Sequence, residues 1–347
     1  MSSALTGRLA AEEPGRSRRL VDLIFRAREF GIIAVLAIFV GVTTAIQPRF
    51  LDDQNIKFVL LNTTIFALLA LGETMVVVTR NIDLSVGSLL GLSAFLSSEV
   101  LSEHRGIPVV VAFLVGLGIG AGWGILHGLI VAVAKVPSLV VTLATLYIIR
   151  GIDVVIAGGT EVVANSLPSS FLGMSTASFA GVPVLAIVVA CVVGAGAFYL
   201  RSFRSGRELY AIGSNPEGAR LAGIPSGRRV FTAFVVSGSI AGVAGVLWAS
   251  YYGTIDSTAG TNYELQVVAA VVVGGVAIFG GSGSAIGAAF GALLLATIDQ
   301  ALYVLGISSF WDQAISGLLI VLAIALDRGI SVRLTSALRK RSLRHAA

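Results

Sequence analysis

Few residues in this chain are equipped for chemistry, and most of them sit inside long apolar runs, where an ionised group costs about 2.5–3.5 kcal/mol. Glu73, Asp83 and Asp299 are the acids so placed. Arg150 and Asp153 stand three residues apart, neighbours on one helix face, and suit a local ion pair near an interface. Asp83 lies in Arg80-Asn81-Ile82-Asp83-Leu84-Ser85-Val86-Gly87, a stretch that turns before an apolar run. It either caps the following helix or contributes to a polar path. Asn62 and Asp299 either line an aqueous path or bond between helices. His127, set between Leu126 and Gly128, reads as a packing residue.

Other chemistries are excluded by what these residues lack. No serine, cysteine or threonine stands in a recognisable pairing with a base, so no enzyme active site is expected. His104, His127 and His345 fall in separate segments, and the single cysteine, Cys191, rules out disulfides and Cys-rich metal sites. No metal and no cofactor is expected, and Cys191 reads as a buried small hydrophobe. Gly280-Gly281-Ser282-Gly283-Ser284 resembles a phosphate-binding loop but lacks the Lys-Ser/Thr ending and follows an apolar segment, not a strand. It reads as a tight turn.

The elements that position these groups follow from composition. The 347 residues are 56% hydrophobic and 12% charged, with 41 glycines and mean hydropathy +0.92. That balance specifies an all-α, polytopic membrane protein, since about 20 apolar residues cross the hydrocarbon. Ten spans are expected, at 30–47, 57–79, 84–102, 108–133, 137–157, 182–200, 230–250, 264–280, 284–304 and 312–326, the second and third readable as one broken unit. The polar stretch 158–181 becomes an outer loop with short helices. The net charge of +5 reflects topology, not nucleic acid, because the basic residues crowd into short loops and termini. With both ends inside, Arg8, Arg16, Arg18, Arg19, Arg26, Arg28, Arg80, Lys135, the 201–229 loop and the tail are inside too. Only Arg49, Lys57 and Arg105 remain outside. No cleaved leader is expected, so 1–29 is a basic inner segment, 30–327 the membrane domain and 328–347 a basic tail that either lies against anionic lipid headgroups or is a solvated, disordered end. Gly116, Gly120, Gly124 and Gly128 recur every four residues. Gly238 with Gly242, and Gly287 with Gly291, repeat that spacing and predict close helix packing.

The inner loop 201–229 holds the most punctuated segment. Residues 213–225 read Gly-Ser-Asn-Pro-Glu-Gly-Ala-Arg-Leu-Ala-Gly-Ile-Pro. Asn215 is an N-cap, Pro216 suits the first helical position and Glu217 favours the positive helix start. Gly223 supplies a left-handed C-terminal cap, and Pro225 blocks resumption. A helix of about two turns is marginal alone in water, so this one implies a partner to dock against.

Several of these residues carry a resemblance. Asn81 through Gly87, Gly213-Ser214-Asn215 through Ala222-Gly223-Ile224, Thr258-Ala259-Gly260 with Tyr263-Glu264-Leu265, and Gly274-Gly275 through Gly283 resemble the sugar-type permease subunits of bacterial ATP-binding-cassette (ABC) importers over 57–327. That group includes ribose, xylose, arabinose, rhamnose and autoinducer-2 permeases. The resemblance implies a vitamin B12-permease-like (type II importer) arrangement in the bacterial inner membrane. It makes 213–224 the coupling helix, with Gly213, Asn215, Glu217, Ala219, Arg220, Ala222, Gly223 and Ile224 as ATPase-coupling residues. It implies a separate cytoplasmic ABC ATPase, a periplasmic sugar-binding protein and a second permease subunit, identical or not. The implied cargo is a monosaccharide such as a pentose or deoxyhexose, moved unchanged, with Asn62, Asp83 and Asp299 as path candidates. Three rivals stay open: a branched-chain amino-acid permease, an ion-coupled carrier using Glu73, Asp83 or Asp299, and a membrane scaffold.

Overall fold

A computed structural model describes residues 31–325 apart from 105 and 309. The terminal segments 1–29 and 328–347 lie outside the described residues. The chain is mostly helical. In order, the helices are α1 (Gly31–Ile46), α2 (Asp53–Val77), α3 (Val86–Glu103), α4 (Val110–Gly128, extended by a widened π turn at Leu129–Val133), α5 (Ser138–Ala157), α6 (Ser169–Thr176) and α7 (Val184–Ser202). Then come α8 (Arg204–Ser214), α9 (Pro216–Leu221), α10 (Ser226–Tyr252), α11 (Tyr263–Val273), α12 (Ala285–Val304) and α13 (Trp311–Ala325). A two-residue hairpin, Ser178–Phe179 with Val182–Pro183, and the short α6 fill the stretch read as a loop with short helices.

Six of these helices are long and apolar enough to cross a membrane: α2, α4, α5, α7, α10 and α12. The other four expected spans are helical but weaker. α1, α11 and α13 are shorter. α3 is interrupted by Ser88, Ser93, Ser97 and Ser98, all buried inside the protein. The expected span 264–280 needs correction: its helix ends at Val273, and Gly274–Gly283 runs on as irregular chain. Gly275, Gly280, Gly281 and Gly283 all adopt positive φ there, which a continuing right-handed helix forbids. The turn expected at Gly280–Ser284 is thus part of a longer break, and Ser284 caps α12 by accepting the Gly287 N–H at 3.3 Å.

α2 is the hub. Every residue from Thr64 to Val77 is buried, and α7, α10, α11 and α12 pack around it. The glycine repeats serve as expected. Methyl groups on Gly116, Gly120 or Gly124 of α4 would collide with the backbone or side chains of α10, while Gly118 and Gly122 between them face open space. Gly238 and Gly242 abut α4 in return, and Gly287 and Gly291 abut the end and body of α11. Apolar burial contributes little between helices in lipid, so close backbone approach substitutes for it.

One expectation about packing fails. Cys191 is exposed. On α7 the buried stripe is Val189, Val193 and Leu200, and a residue two positions from Val189 points to the opposite face. That face is apolar and outward, as a lipid-facing surface would be.

Candidate functional site

At one end of the bundle, α8 and α9 form a projecting tip. Asn215 accepts the Gly218 N–H on its side-chain oxygen at 2.9 Å, and Pro216 takes the first helical position. The helix closes through Gly223 N–H to Arg220 O and Ile224 N–H to Ala219 O, both 3.0 Å, with Gly223 at φ 72°. The capping read from the sequence is therefore present at both ends. The eight named residues divide by orientation. Gly213 and Ala219 are buried, and Ile224 packs against the core, so these seat the helix. Asn215, Glu217, Arg220, Ala222 and Gly223 are exposed, with Glu217 paired to Arg220 at 2.5 Å. Leu221, not singled out from the sequence, is 78% exposed at the same tip.

The tip is anchored by charge. Glu208, buried on α8, receives Arg204 Nε at 2.8 Å and Arg229 Nε at 2.5 Å, which ties α8 to the start of α10. The hydrogen bond from Arg229 holds its carboxyl below the ordinary carboxylate range, helped by that from Arg204. Gly213 lies so close to the Val78 carbonyl that no side chain fits there.

Val78 begins the elbow between α2 and α3. Arg80, in the left-handed region at φ 68°, reaches back to α8. Its Nε donates to Gly213 O at 2.5 Å and its terminal nitrogen to Ser214 O at 3.0 Å. Asp83 makes the expected local bond just ahead of α3, its Oδ1 accepting Ser85 N–H at 3.0 Å and Ser85 Oγ–H at 2.5 Å, but the N-cap is Ser85 and no side chain caps the first turn. Asp83 is fully buried, its own N–H donates to Glu73 Oε1 at 3.1 Å, and its Oδ2 lies 3.9 Å from His127 Nδ1. Glu73 and His127 are also sealed, the imidazole Nε2 standing 2.8 Å from Thr145 Oγ1 between Trp123 and Phe234. Asp83 therefore sits apart from the other two path candidates.

Asn62 and Asp299 do converge, through tyrosines. Tyr252 Oη donates to Asn62 Oδ1 at 3.2 Å, and its ring stacks on Trp248 with centroids 4.3 Å apart. Trp248 Nε1 donates to Tyr263 Oη at 3.1 Å. Asp299 lies within electrostatic reach of both tyrosines and of Asp312, which receives Gln266 Nε2. The patch thus joins α2, α10, α11, α12 and α13. Gln300, next to Asp299, donates to Asn55 on α2 at 2.8 Å. Rings with hydroxyl, amide and carboxyl edges can stack on the apolar face of a small polyol while bonding its hydroxyls.

The chain between α10 and α11 re-enters the bundle beside this patch. Arg150 donates to Ser257 O at 3.0 Å and Ala259 O at 2.7 Å, and pairs with buried Asp153 at 3.7 Å. The expected local pair therefore exists, but its arginine also clamps the re-entrant segment. Gly87 and Gly91 of α3 admit the backbone at Gly260 and Ala259. Sequence reasoning missed Arg80, Trp248, Tyr252, Tyr263, Gln266 and Asp312 as site residues. Tyr263 and Arg80 stood inside motifs already singled out. Asp312, beginning the last apolar run, carried the same signal of a carboxyl where charge is costly.

No cluster of three metal-ligating side chains occurs among the described residues. Comparison with known proteins agrees with the membrane architecture. Over 303 residues the chain is 37% identical to an autoinducer 2 import system permease protein, LsrC, of Enterobacter sp. (strain 638), covering 87% of each chain. The like-named proteins of Salmonella typhi and Escherichia coli O157:H7 are each 35% identical, over 316 and 309 residues, covering 89% of this chain and 88% and 89% of theirs. No solved structure matches. The model of one transport family, described as the permease component of the branched-chain amino acid transport system, matches residues 55–324. The chain belongs to that permease-component family.

Proposed function

We infer that this protein is the membrane subunit of an ABC importer that carries a small sugar or sugar-like polyol into the cytoplasm. The observation that carries the reading is α9, a six-residue helix capped at both ends and projecting with Glu217, Arg220 and Leu221 exposed. Such a helix has no reason to be so firmly punctuated unless it seats in a partner. On this reading 213–224 is the coupling helix and the partner is a cytoplasmic ATPase. A second permease copy or a paralogue completes the channel, and a periplasmic binding protein delivers the cargo. The chain is a ten-helix membrane domain in a type II importer arrangement, with α3 and α11 packed among the long spanning helices and both termini inside.

The path runs past Asn62, Tyr252 and Asp299. The patch holds two carboxyls and neither Lys nor Arg, which suits hydroxyl-rich cargo. A branched-chain amino acid, the cargo in the family's description, brings a carboxylate for which the patch offers no cationic partner. Nucleotide on one side and loaded receptor on the other bias a two-state element, the inward- and outward-open bundle. The test is reconstitution in liposomes with and without the co-purified ATPase and receptor. Uptake of a receptor-bound sugar that needs ATP supports the reading. Transport by the isolated chain on an ion gradient, or a receptor that takes up only amino acids, overturns it.

A further inference from the structure

We propose that Arg80 is the residue through which movement of the α8–α9 tip enters the membrane bundle: a positioning residue for transport, touching neither cargo nor nucleotide. The inference rests on the reading of α9 as the ATPase-docking helix.

A helix leaves its last carbonyls without intrahelical partners. At the end of α8 two of these, Gly213 O and Ser214 O, are both taken by the Arg80 guanidinium at 2.5 and 3.0 Å. A cation there also complements the negative end of the helix dipole. The next residue, Asn215, is the N-cap of α9. Arg80 therefore holds the junction from which the tip projects, not some other part of the loop.

Its grip is reinforced at the backbone. Gly281 N–H donates to Val78 O at 2.9 Å, and Gly213 abuts the same carbonyl. Tyr210 of α8 donates its hydroxyl to Gly283 O at 3.1 Å. Three segments thus meet at one point: the end of α2, the end of α8 and the break between α11 and α12.

The elbow behind Arg80 is too well tied to absorb a displacement. Ile82 N–H donates to Ser138 Oγ at 3.2 Å, and Thr142 Oγ donates to Ile82 O at 3.2 Å, fixing it to α5. Glu73 and Asp83 fix it to α2 and α3 through the bonds described above. A push on Gly213–Ser214 is passed on to α2, which carries Asn62, and through the Gly281 turn to α11 and α12, which carry Tyr263 and Asp299. Two separate carbonyls call for the planar fork of arginine; a lysine offers a single point charge.

The experiment uses the complete importer with its ATPase and receptor in liposomes, comparing Arg80→Met and Arg80→Lys with the unaltered protein. Uptake and ATP hydrolysis are measured on the same vesicles, and ATPase retention by pull-down. Arg80→Met is expected to keep the ATPase and its hydrolysis while sugar moved per ATP falls at least about tenfold, since it removes two charge-assisted hydrogen bonds and one alone is worth about that factor. Arg80→Lys, which keeps the charge but not the planar fork, should fall between. Unchanged sugar per ATP in either variant overturns the proposal, as does loss of the ATPase from the complex or a parallel fall in hydrolysis and uptake. Gly223→Val, measured alongside, separates the two readings: if the ATPase stays fully attached there, docking by α9 is wrong whatever Arg80 does.

Discussion

Replacing Gly124 with alanine tests how the transmembrane core is held together. A methyl carbon at Gly124 falls 2.6 Å from Phe234 O and 2.8 Å from Val235 Cα on α10, both backbone atoms that cannot swing away. Reaching ordinary contact at 3.4 Å requires the helices to part locally by about 0.8 Å. A gap of that size forfeits a quarter to a half of each dispersion contact it opens, and overpacking of this kind costs about 1–3 kcal/mol. Gly122, two residues earlier on the same helix, has nothing within 4 Å of its methyl position. Alanine there relieves the conformational freedom of glycine and should be neutral or stabilising by up to about 1 kcal/mol. The assay is thermal unfolding of the purified protein in one detergent, followed by loss of the monodisperse peak on gel filtration. Gly124→Ala should melt clearly below the parent and Gly122→Ala at or above it. Equal melting temperatures would show that α4 and α10 do not meet through their glycines, and the packing argument would fall with them.

Gly223→Val places a β-branched residue at φ 72°, a strain of about 1–2 kcal/mol, and should weaken ATPase retention in a pull-down without lowering permease yield. Asp299→Asn keeps the shape of the path patch but removes its charge; uptake should fall while membrane accumulation stays normal, and loss of accumulation on an immunoblot would make Asp299 structural. Glu208 has a folded-state affinity for protons below its ordinary one. Its pairing with Arg229 and Arg204 therefore stabilises the α8–α10 corner at neutral pH and is lost only as pH falls through the depressed value. The melting-temperature gap between the parent and Glu208→Gln should hold at neutral pH and close only as pH falls below the ordinary carboxylate range; a gap that closes near neutrality contradicts the assignment.

The resemblance to sugar-type permeases and the family match meet on the same residues, from about 55 onwards, and the polar patch supplies a chemistry that suits hydroxyl-bearing cargo. The sealed Glu73–Asp83–His127 group has a different setting. Its acids are enclosed among α2, α3, α4 and α5, where an ion-coupled carrier would need an open route to water.

Sequence alone determined the membrane class, because apolar length and loop charge are one-dimensional quantities that no packing can alter. It also determined the capping of α9, since Asn215, Pro216 and Gly223 act on backbone within four residues of themselves. The glycine faces were equally legible, their spacing matching the helix period. Tertiary structure decided the rest. α11 stops at Val273 because the glycines after it are needed at positive φ against α2 and α8, contacts invisible to local hydropathy. Asp83 and Asp299 look alike as acids in apolar runs, yet one is sealed against Glu73 and the other joins Tyr252 and Asp312. Which neighbours a buried charge meets depends on residues on other helices, tens of positions away, such as His127 for Asp83 and Tyr252 for Asp299, and only the packed bundle brings those together.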